Sequence, residues 1–434
     1  MSENFFKING LDGQLKLSGE IVINGAKNAA LKVMASAVLF DDYVELENVP
    51  EIEDVERMSE LLSGIGAKIE KPASSAGGST NKIKIILPKK ISNDIPIETA
   101  KAIRSSIVLT GPILARTRKV SFPNPGGCSI GDRPIDIFLE GFKKLGATIE
   151  TQNKIYVVSA PKGLFGTEFF FKVQSHTGTE TLMMAAVLSK GETVLKNCAI
   201  EPEIKSLADF LNECGANISG AGTSTIIIKG TKGKLLSSKK KIYKTIPDRI
   251  ETGSFMILAA LAGEKIVIKN CVPENVEIVT EILRTAGAKI EIGKNEITVF
   301  GSKNLSAVNI RTHEYPGMPT DLQAPMAVFL TQTNGESALF ETIYEGRLGY
   351  IPDLVSMGAK IELEDTHRAL IKGKTPLVGK KIKAPDLRAG MAFIIAAIIA
   401  KGESIIENSY VIDRGYENLE TRLKAIGVDI KKNK

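Results

Sequence analysis

One short phrase recurs six times in this chain of 434 residues, and it limits the fold more than any other feature. The phrase is a Gly followed by a small residue and then a strand-like run. It reads Gly66-Ala67-Lys68-Ile69-Glu70, Gly146-Ala147-Thr148-Ile149-Glu150, Gly215-Ala216-Asn217-Ile218, Gly287-Ala288-Lys289-Ile290-Glu291, Gly358-Ala359-Lys360-Ile361-Glu362 and Gly427-Val428-Asp429-Ile430. The copies lie about 70 residues apart, which is the signature of a repeated supersecondary unit. Each Gly suits a helix C-cap, where the chain must adopt a positive φ before it enters a strand.

Each phrase follows an amphipathic helix, as at Val55 to Leu62 and Ile204 to Leu211. Short Val/Ile/Leu-rich strands precede those helices, as at Tyr43 to Leu46 and Lys265 to Ile268. Every unit also carries a second helix that is apolar nearly all round. These run from Ala29 to Leu39, Ser105 to Ala115, Thr181 to Leu188, Gly253 to Ala262, Ala324 to Leu330 and Gly390 to Ala400. Helices of that kind must be buried. Six units are too many for one core, so the expected fold is α/β: two inside-out, barrel-like domains of three units each, helices inside and sheets outside. The expected boundaries are 22–243 for the first domain, and 1–21 plus 244–434 for the second.

The starts of the buried helices are unusually polar. They carry Lys27 and Asn28, Arg104, Thr179 and Glu180, Asp248 with Arg249 and Glu251, Asp321, and Asp386 with Arg388. Capping accounts for an Asp or Thr there. It does not account for Lys27, Arg104 or Arg388, because a cation at that end opposes the helix dipole. Helix N-termini joined by cations make an anion site. A second candidate is the loop Pro125-Gly126-Gly127-Cys128-Ser129-Ile130-Gly131-Asp132-Arg133-Pro134. Its glycines give backbone freedom, and Arg133 is a cation near enough in sequence to favour a reactive Cys128 thiolate.

Other function classes find little support. A net charge of +6 is mild, Trp is absent, and Lys239-Lys240-Lys241 is the one dense basic run, which reads as a solvated turn. No nucleic-acid partner is expected. The histidines His176, His313 and His367 lack ligand spacing, so no metal is expected either. The longest apolar runs, such as Met391 to Ala400, are too short to span a bilayer. The residues after Met1 lack a basic start and apolar core, and the cysteines Cys128, Cys198, Cys214 and Cys271 show no CxxC spacing. A cytoplasmic protein is the expectation.

Several longer phrases together resemble the enolpyruvyl transferases, and among them those that act on a nucleotide-sugar. They are Gly25-Ala26-Lys27-Asn28-Ala29-Ala30-Leu31, the Gly126-to-Pro134 loop, Glu201-Pro202-Glu203-Ile204, Pro247-Asp248-Arg249-Ile250-Glu251-Thr252-Gly253, Pro319-Thr320-Asp321-Leu322-Gln323-Ala324, Asp386-Leu387-Arg388 and Ile412-Asp413-Arg414-Gly415-Tyr416-Glu417. The resemblance runs from about Phe6 to the C-terminus.

It implies two inside-out domains that close over substrate. It also implies transfer of the enolpyruvyl group of phosphoenolpyruvate to the 3-hydroxyl of UDP-N-acetylglucosamine, with loss of phosphate. That is the first committed step of peptidoglycan precursor synthesis, and it needs no cofactor and no obligate protein partner. Residue by residue, Cys128 matches the acid/base for the methylene carbon and Asp321 the carboxylate that takes the hydroxyl proton. Lys27, Arg104, Arg133, Arg347, Arg388 and Arg414 match cationic positions. Asn28 and Asp386 match residues that orient the intermediate. Ser175, Thr177, Glu201, Asp248, Ile343 and Glu345 match substrate-side positions.

Two departures fall on the nucleotide side. The family usually has Ser-Val-Gly-Ala-Thr where this chain has Ser175-His176-Thr177-Gly178-Thr179, and often His where it has Phe138. A modified UDP-sugar as acceptor, or a silent paralogue that only binds a nucleotide-sugar, stay open as alternatives.

Overall fold

A computed structural model describes residues 4–71, 81–126 and 134–433. The chain divides into two compact units: one formed by the segment up to Asn24 and the segment from Pro247 on, the other by Gly25 to Ile246. Each has its own hydrophobic core. Cys128 and Arg133 lie outside the described residues.

The unit from Pro247 on holds three four-stranded sheets. Ile8 of the N-terminal strand Phe5–Asn9 faces Ser404 on one side and Ile430 on the other, so the two ends of the chain share one sheet. In all three sheets an edge strand runs parallel to its neighbour while the rest are antiparallel: Leu17–Val22 beside Gly263–Lys269, Ile310–Arg311 beside Gly335–Phe340, and Lys381–Lys383 beside Glu403–Glu407. The unit from Gly25 to Ile246 repeats the plan with two four-stranded sheets and one of three strands. In that smaller sheet the parallel edge is reduced to a single bridge, Asp94 to Ser121.

Three helices fill each core. They are Lys27–Ser36, Thr110–Thr117 and His176–Val187 in one unit, and Arg249–Ala262, Gln323–Leu330 and Leu387–Ile399 in the other. Leu387–Ile399 is buried from Arg388 to Ile399. Burying each Ile or Phe of such a helix contributes about 1.5–3 kcal/mol. Several helices start earlier than their apolar run, because a polar first turn is still helical. The helix expected at Ser105 to Ala115 begins instead as a 3-10 turn, Arg104–Leu109.

Helices this close need glycine at their crossings. A Cβ on Gly111 would sit 2.3 Å from the carbonyl oxygen of Thr181, and one on Gly253 would sit 2.3 Å from Leu322 Cδ1.

The six repeat glycines share one conformation. Gly66, Gly146, Gly215, Gly287, Gly358 and Gly427 have φ between 95° and 108°, the region that favours glycine after a helix. A second repeated device follows the strands. Asn48, Asn197, Asn270 and Asn408 each adopt a positive φ of 54–60°. Their side-chain amides donate to the carbonyls of Thr245, Phe171, Ile23 and Ala384. These bonds tie each strand end to the parallel edge of its sheet.

Candidate active site

In the unit from Pro247 on, the starts of the three buried helices are built differently. Asp248 caps Arg249–Ala262, accepting from the amides of Ile250 at 2.8 Å and Glu251 at 3.0 Å. Asp386 caps Leu387–Ile399, accepting from Arg388 N at 2.8 Å and Ala389 N at 3.3 Å. Both satisfy orphan amides of a first turn.

Asp321 does not. It sits in the 3-10 turn Thr320–Leu322, whose N-cap residue is Pro319. Its two oxygens go to guanidiniums: Arg347 Nη2 donates to Oδ1 at 3.1 Å and Arg388 Nη2 donates to Oδ2 at 2.7 Å. Arg347 also donates to the Thr320 carbonyl at 3.2 Å. Both arginine side chains are almost fully buried, whereas Asp321 keeps 28% of its side-chain surface exposed. A cap faces its own helix, but this carboxylate is held across three chain segments and left partly open. Burial works against the charge on Arg388. Asp321, then Tyr416 and Asp248, outweigh it and hold Arg388 above the ordinary guanidinium value.

Glu341 braces the same turn. It is fully buried. Oε2 accepts from Thr320 Oγ1 at 2.9 Å, and Oε1 accepts from the amides of Ile343 at 2.8 Å and Tyr344 at 3.2 Å. One carboxylate thus fixes both the Asp321 turn and the segment that leads into Arg347. Sequence reasoning missed it. The available signal was positional, since Glu341 follows its strand where the five other units have Asn48, Asn124, Asn197, Asn270 and Asn408. Tyr416 lies in the same core, its hydroxyl 2.8 Å from Ser254 Oγ, and burial pushes its phenol up to about 12. Arg414 is the C-cap residue of the short helix Tyr410–Asp413. Glu345 is exposed at the start of the turn Glu345–Leu348.

In the other unit, Lys27 opens its helix with no side-chain cap before it, and its Nζ lies 3.0 Å from Asp54 Oδ2. Asp54 belongs to the first turn of the half-exposed helix Glu53–Gly64. A cation at a helix start needs such a carboxylate, and that need was the signal by which Asp54 was findable. The Asn28 carbonyl accepts from Lys32 Nζ at 3.0 Å.

Arg104 Nη1 donates to the Pro125 carbonyl at 3.1 Å, which ties it to the chain just before the Cys128 loop. Ser175 caps His176–Val187 by accepting from Gly178 N at 3.0 Å, and the Thr177 carbonyl accepts from Thr181 Oγ1 at 2.8 Å. Glu201 is the N-cap residue of Pro202–Glu213 without a capping bond, and its Oε2 is buried with no hydrogen-bond partner. Phe138 is a core residue.

The structure therefore brings Asp321, Arg347 and Arg388 into direct contact, with Asp248 and Asp386 capping the flanking helices. It joins Lys27 and Asn28 to partners the sequence did not single out. Chemically, the first group offers a fixed, partly open carboxylate beside cations, suited to receiving a proton and to holding anionic oxygens. Among the described residues no cluster of three His, Cys, Asp or Glu could hold a metal ion.

Comparison with known proteins sets this geometry in a family. A family model described as EPSP synthase (3-phosphoshikimate 1-carboxyvinyltransferase) matches residues 11–423. A UDP-N-acetylglucosamine 1-carboxyvinyltransferase of Desulforapulum autotrophicum is 41% identical over 425 residues, covering 97% of this chain and 98% of its own. A UDP-N-acetylglucosamine 1-carboxyvinyltransferase 1 of Caldanaerobacter subterraneus is 42% identical over 414 residues, covering 95% of this chain and 96% of its own. Among solved structures, the enolpyruvyl transferase NikO from Streptomyces tendae superposes with a TM-score of 0.87 at 21% identity, covering 99% of each chain. EPSP synthase from Acinetobacter baumannii superposes with a TM-score of 0.72 at 18% identity, covering 99% of this chain and 100% of its own. Those two likenesses speak for the fold alone. On the family match and the near-full-length relatives, the chain belongs to the EPSP synthase family of enolpyruvyl transferases.

Proposed function

We propose that this chain is a transferase that moves the enolpyruvyl group of phosphoenolpyruvate to the 3-hydroxyl of UDP-N-acetylglucosamine and releases inorganic phosphate. One observation carries the reading: a carboxylate, Asp321, held by two buried guanidiniums in a chain that matches carboxyvinyltransferases of that name along nearly its whole length.

In the proposed chemistry the sugar oxygen attacks C2 of phosphoenolpyruvate while Asp321 takes its proton. Cys128 delivers a proton to the methylene carbon, and the C2=C3 double bond becomes a single bond. The resulting tetrahedral adduct keeps both the sugar and the phosphate on C2. Loss of a proton from the methyl carbon to Cys128 and departure of phosphate then restore the double bond. Fixed cations serve such a dianionic donor because they need no reorganisation as charge moves.

Lys27, Arg104, Arg133, Arg347, Arg388 and Arg414 supply that charge in this reading, and Asn28 and Asp386 orient the adduct. Ser175, Thr177, Glu201, Asp248, Ile343 and Glu345 serve the acceptor. No described helix is long and apolar enough to cross a membrane, and the proposal places the enzyme in the cytoplasm, at the first committed step of peptidoglycan precursor synthesis. The test is product identity. Mass spectrometry and NMR of the reaction mixture should show an enolpyruvyl ether on the 3-oxygen of UDP-N-acetylglucosamine. An enolpyruvyl group found only on another sugar in a panel of UDP-sugars overturns the acceptor.

A further inference from the structure

Within the unit from Gly25 to Ile246, a line of buried charge joins two helix starts. Lys32 Nζ donates to the Asn28 carbonyl at 3.0 Å and lies 3.0 Å from Glu180 Oε2. Glu180 Oε1 in turn lies 3.2 Å from His176 Nε2. Glu180 is fully buried, Lys32 is 4% exposed and the His176 side chain 19%. Glu180 thus stands between the two cationic side chains, one at each of its oxygens.

We propose that Lys32, Glu180 and His176 form a positioning and specificity device that fixes the Ser175–Thr177 helix start against Asn28, and so sets the affinity for the nucleotide-sugar. The inference rests on the acceptor reading above and names three residues that reading does not use.

The charge count supports it. A buried carboxylate needs compensation, and removing one partner of such a group is costly. His176 stands at the first position of its helix, where a cation is disfavoured by the dipole. Burial also works against its charge, as does Lys32. Glu180 and then Glu201 nevertheless hold its pKa above the ordinary imidazole value. Two other charged groups nearby are spoken for. Arg104, on the adjoining turn, donates to Pro125, and Glu140 pairs with Lys172. Glu203, buried in the first turn of Pro202–Glu213, acts with Glu180 on the Tyr243 phenol and adds a further carboxylate to this region. With His176 protonated, Lys32 and His176 offset Glu180 and Glu201. With His176 neutral one more negative charge is left uncompensated beside helix starts assigned to a dianionic ligand. The bridge is therefore complete below the folded pKa of His176 and is lost as pH rises through it.

Titration calorimetry of the whole protein with UDP-N-acetylglucosamine alone, from about pH 5 to about pH 9, tests this. Wild-type affinity should fall about tenfold across that range, the equivalent of one pKa unit of coupling. His176→Val should bind about tenfold more weakly at the acid end and show a flat profile. His176→Arg, which keeps the charge, should stay flat near the wild-type acid value. A flat wild-type profile, or His176→Val with the wild-type slope, overturns the inference. Melting temperatures and circular dichroism identify a variant that fails to fold, and Lys32→Met then serves in its place, with the same loss of affinity expected and an unchanged affinity counting against the bridge. If wild-type protein turns over UDP-N-acetylglucosamine but His176→Val matches it at every pH, only this inference falls. If wild-type protein neither binds nor uses it, the acceptor reading falls and this inference with it.

Discussion

Asp321→Asn is the sharpest perturbation of the site. The substitution keeps the shape and one acceptor oxygen, removes the negative charge and cannot take a proton. In the structure the carboxylate is the partner of both Arg347, at 3.1 Å, and Arg388, at 2.7 Å. Each pair at such a distance has a gross attraction of about 5–6 kcal/mol at an effective dielectric near 20. Stranding a buried charge costs about 3–5 kcal/mol. Asp321 is 28% exposed, so solvent offsets part of this and the lower end, about 3 kcal/mol, is expected. For a domain of this size that lowers the melting temperature by roughly 6–12 °C.

A cap loss alone would cost only about 1 kcal/mol, and the N-cap positions of the turn and of the helix after it belong to Pro319 and Leu322, not to Asp321. Turnover per folded molecule, measured well below the melting point, should fall about a hundredfold or more, with little change in nucleotide-sugar affinity. Calorimetric melting and phosphate release on the same sample separate the two effects. Near-normal turnover with lowered stability would make Asp321 an anchor for the arginines and not the base. Unchanged stability would refute the ionic clamp itself.

The remaining expectations concern thiols, helix crossings and acid stability. Burial pushes the thiols of Cys198, Cys214 and Cys271 up to about 12, 11 and 11, so iodoacetamide at neutral pH should label Cys128 and spare these three in native protein; peptide mapping that finds any of them modified contradicts this. Gly111→Ala drives a Cβ into a backbone oxygen, whereas Gly253→Ala meets the end of a leucine side chain. Gly111→Ala should therefore be the more destabilising by about 1 kcal/mol or more, and the reverse order in urea melts would refute the crossing geometry. Burial raises the carboxyl of Asp42, but bonds from the Ser238 amide and hydroxyl, the Tyr43 amide and Ser237 outweigh it and hold the group below its ordinary 3.8. Its contribution is thus present above that value and lost as pH falls through the lower folded one. Asp42→Asn should be less stable at neutral pH and lose less stability between about pH 4 and pH 2 than wild type, and parallel acid melts of the two proteins would speak against it.

Repeats and buried helices were legible because both are periodic. A Gly at a helix end and a helix without a polar face leave few alternatives. The first turns of the buried helices were legible as polar, but their wiring was not. Asp248, Asp386 and Asp321 look alike in sequence; two are N-caps and one is a clamp, because Asp321 sits one place inside a 3-10 turn, where its carboxylate meets Arg347 and Arg388. Those arginines lie 26 and 67 residues further along the chain, beyond the reach of any local pattern. Lys27 signalled an unmet charge, and the structure supplies Asp54 from the next helix. The strand-end Asn residues were visible but unread, since their side chains bond carbonyls up to 247 residues away.

The central claim is tested most directly by following phosphate release from phosphoenolpyruvate with two acceptors side by side, UDP-N-acetylglucosamine and 3-phosphoshikimate. Steady release is expected with the nucleotide-sugar, background release with 3-phosphoshikimate, and loss of the former in Cys128→Ala. Release with 3-phosphoshikimate alone, or full activity in Cys128→Ala, would contradict it.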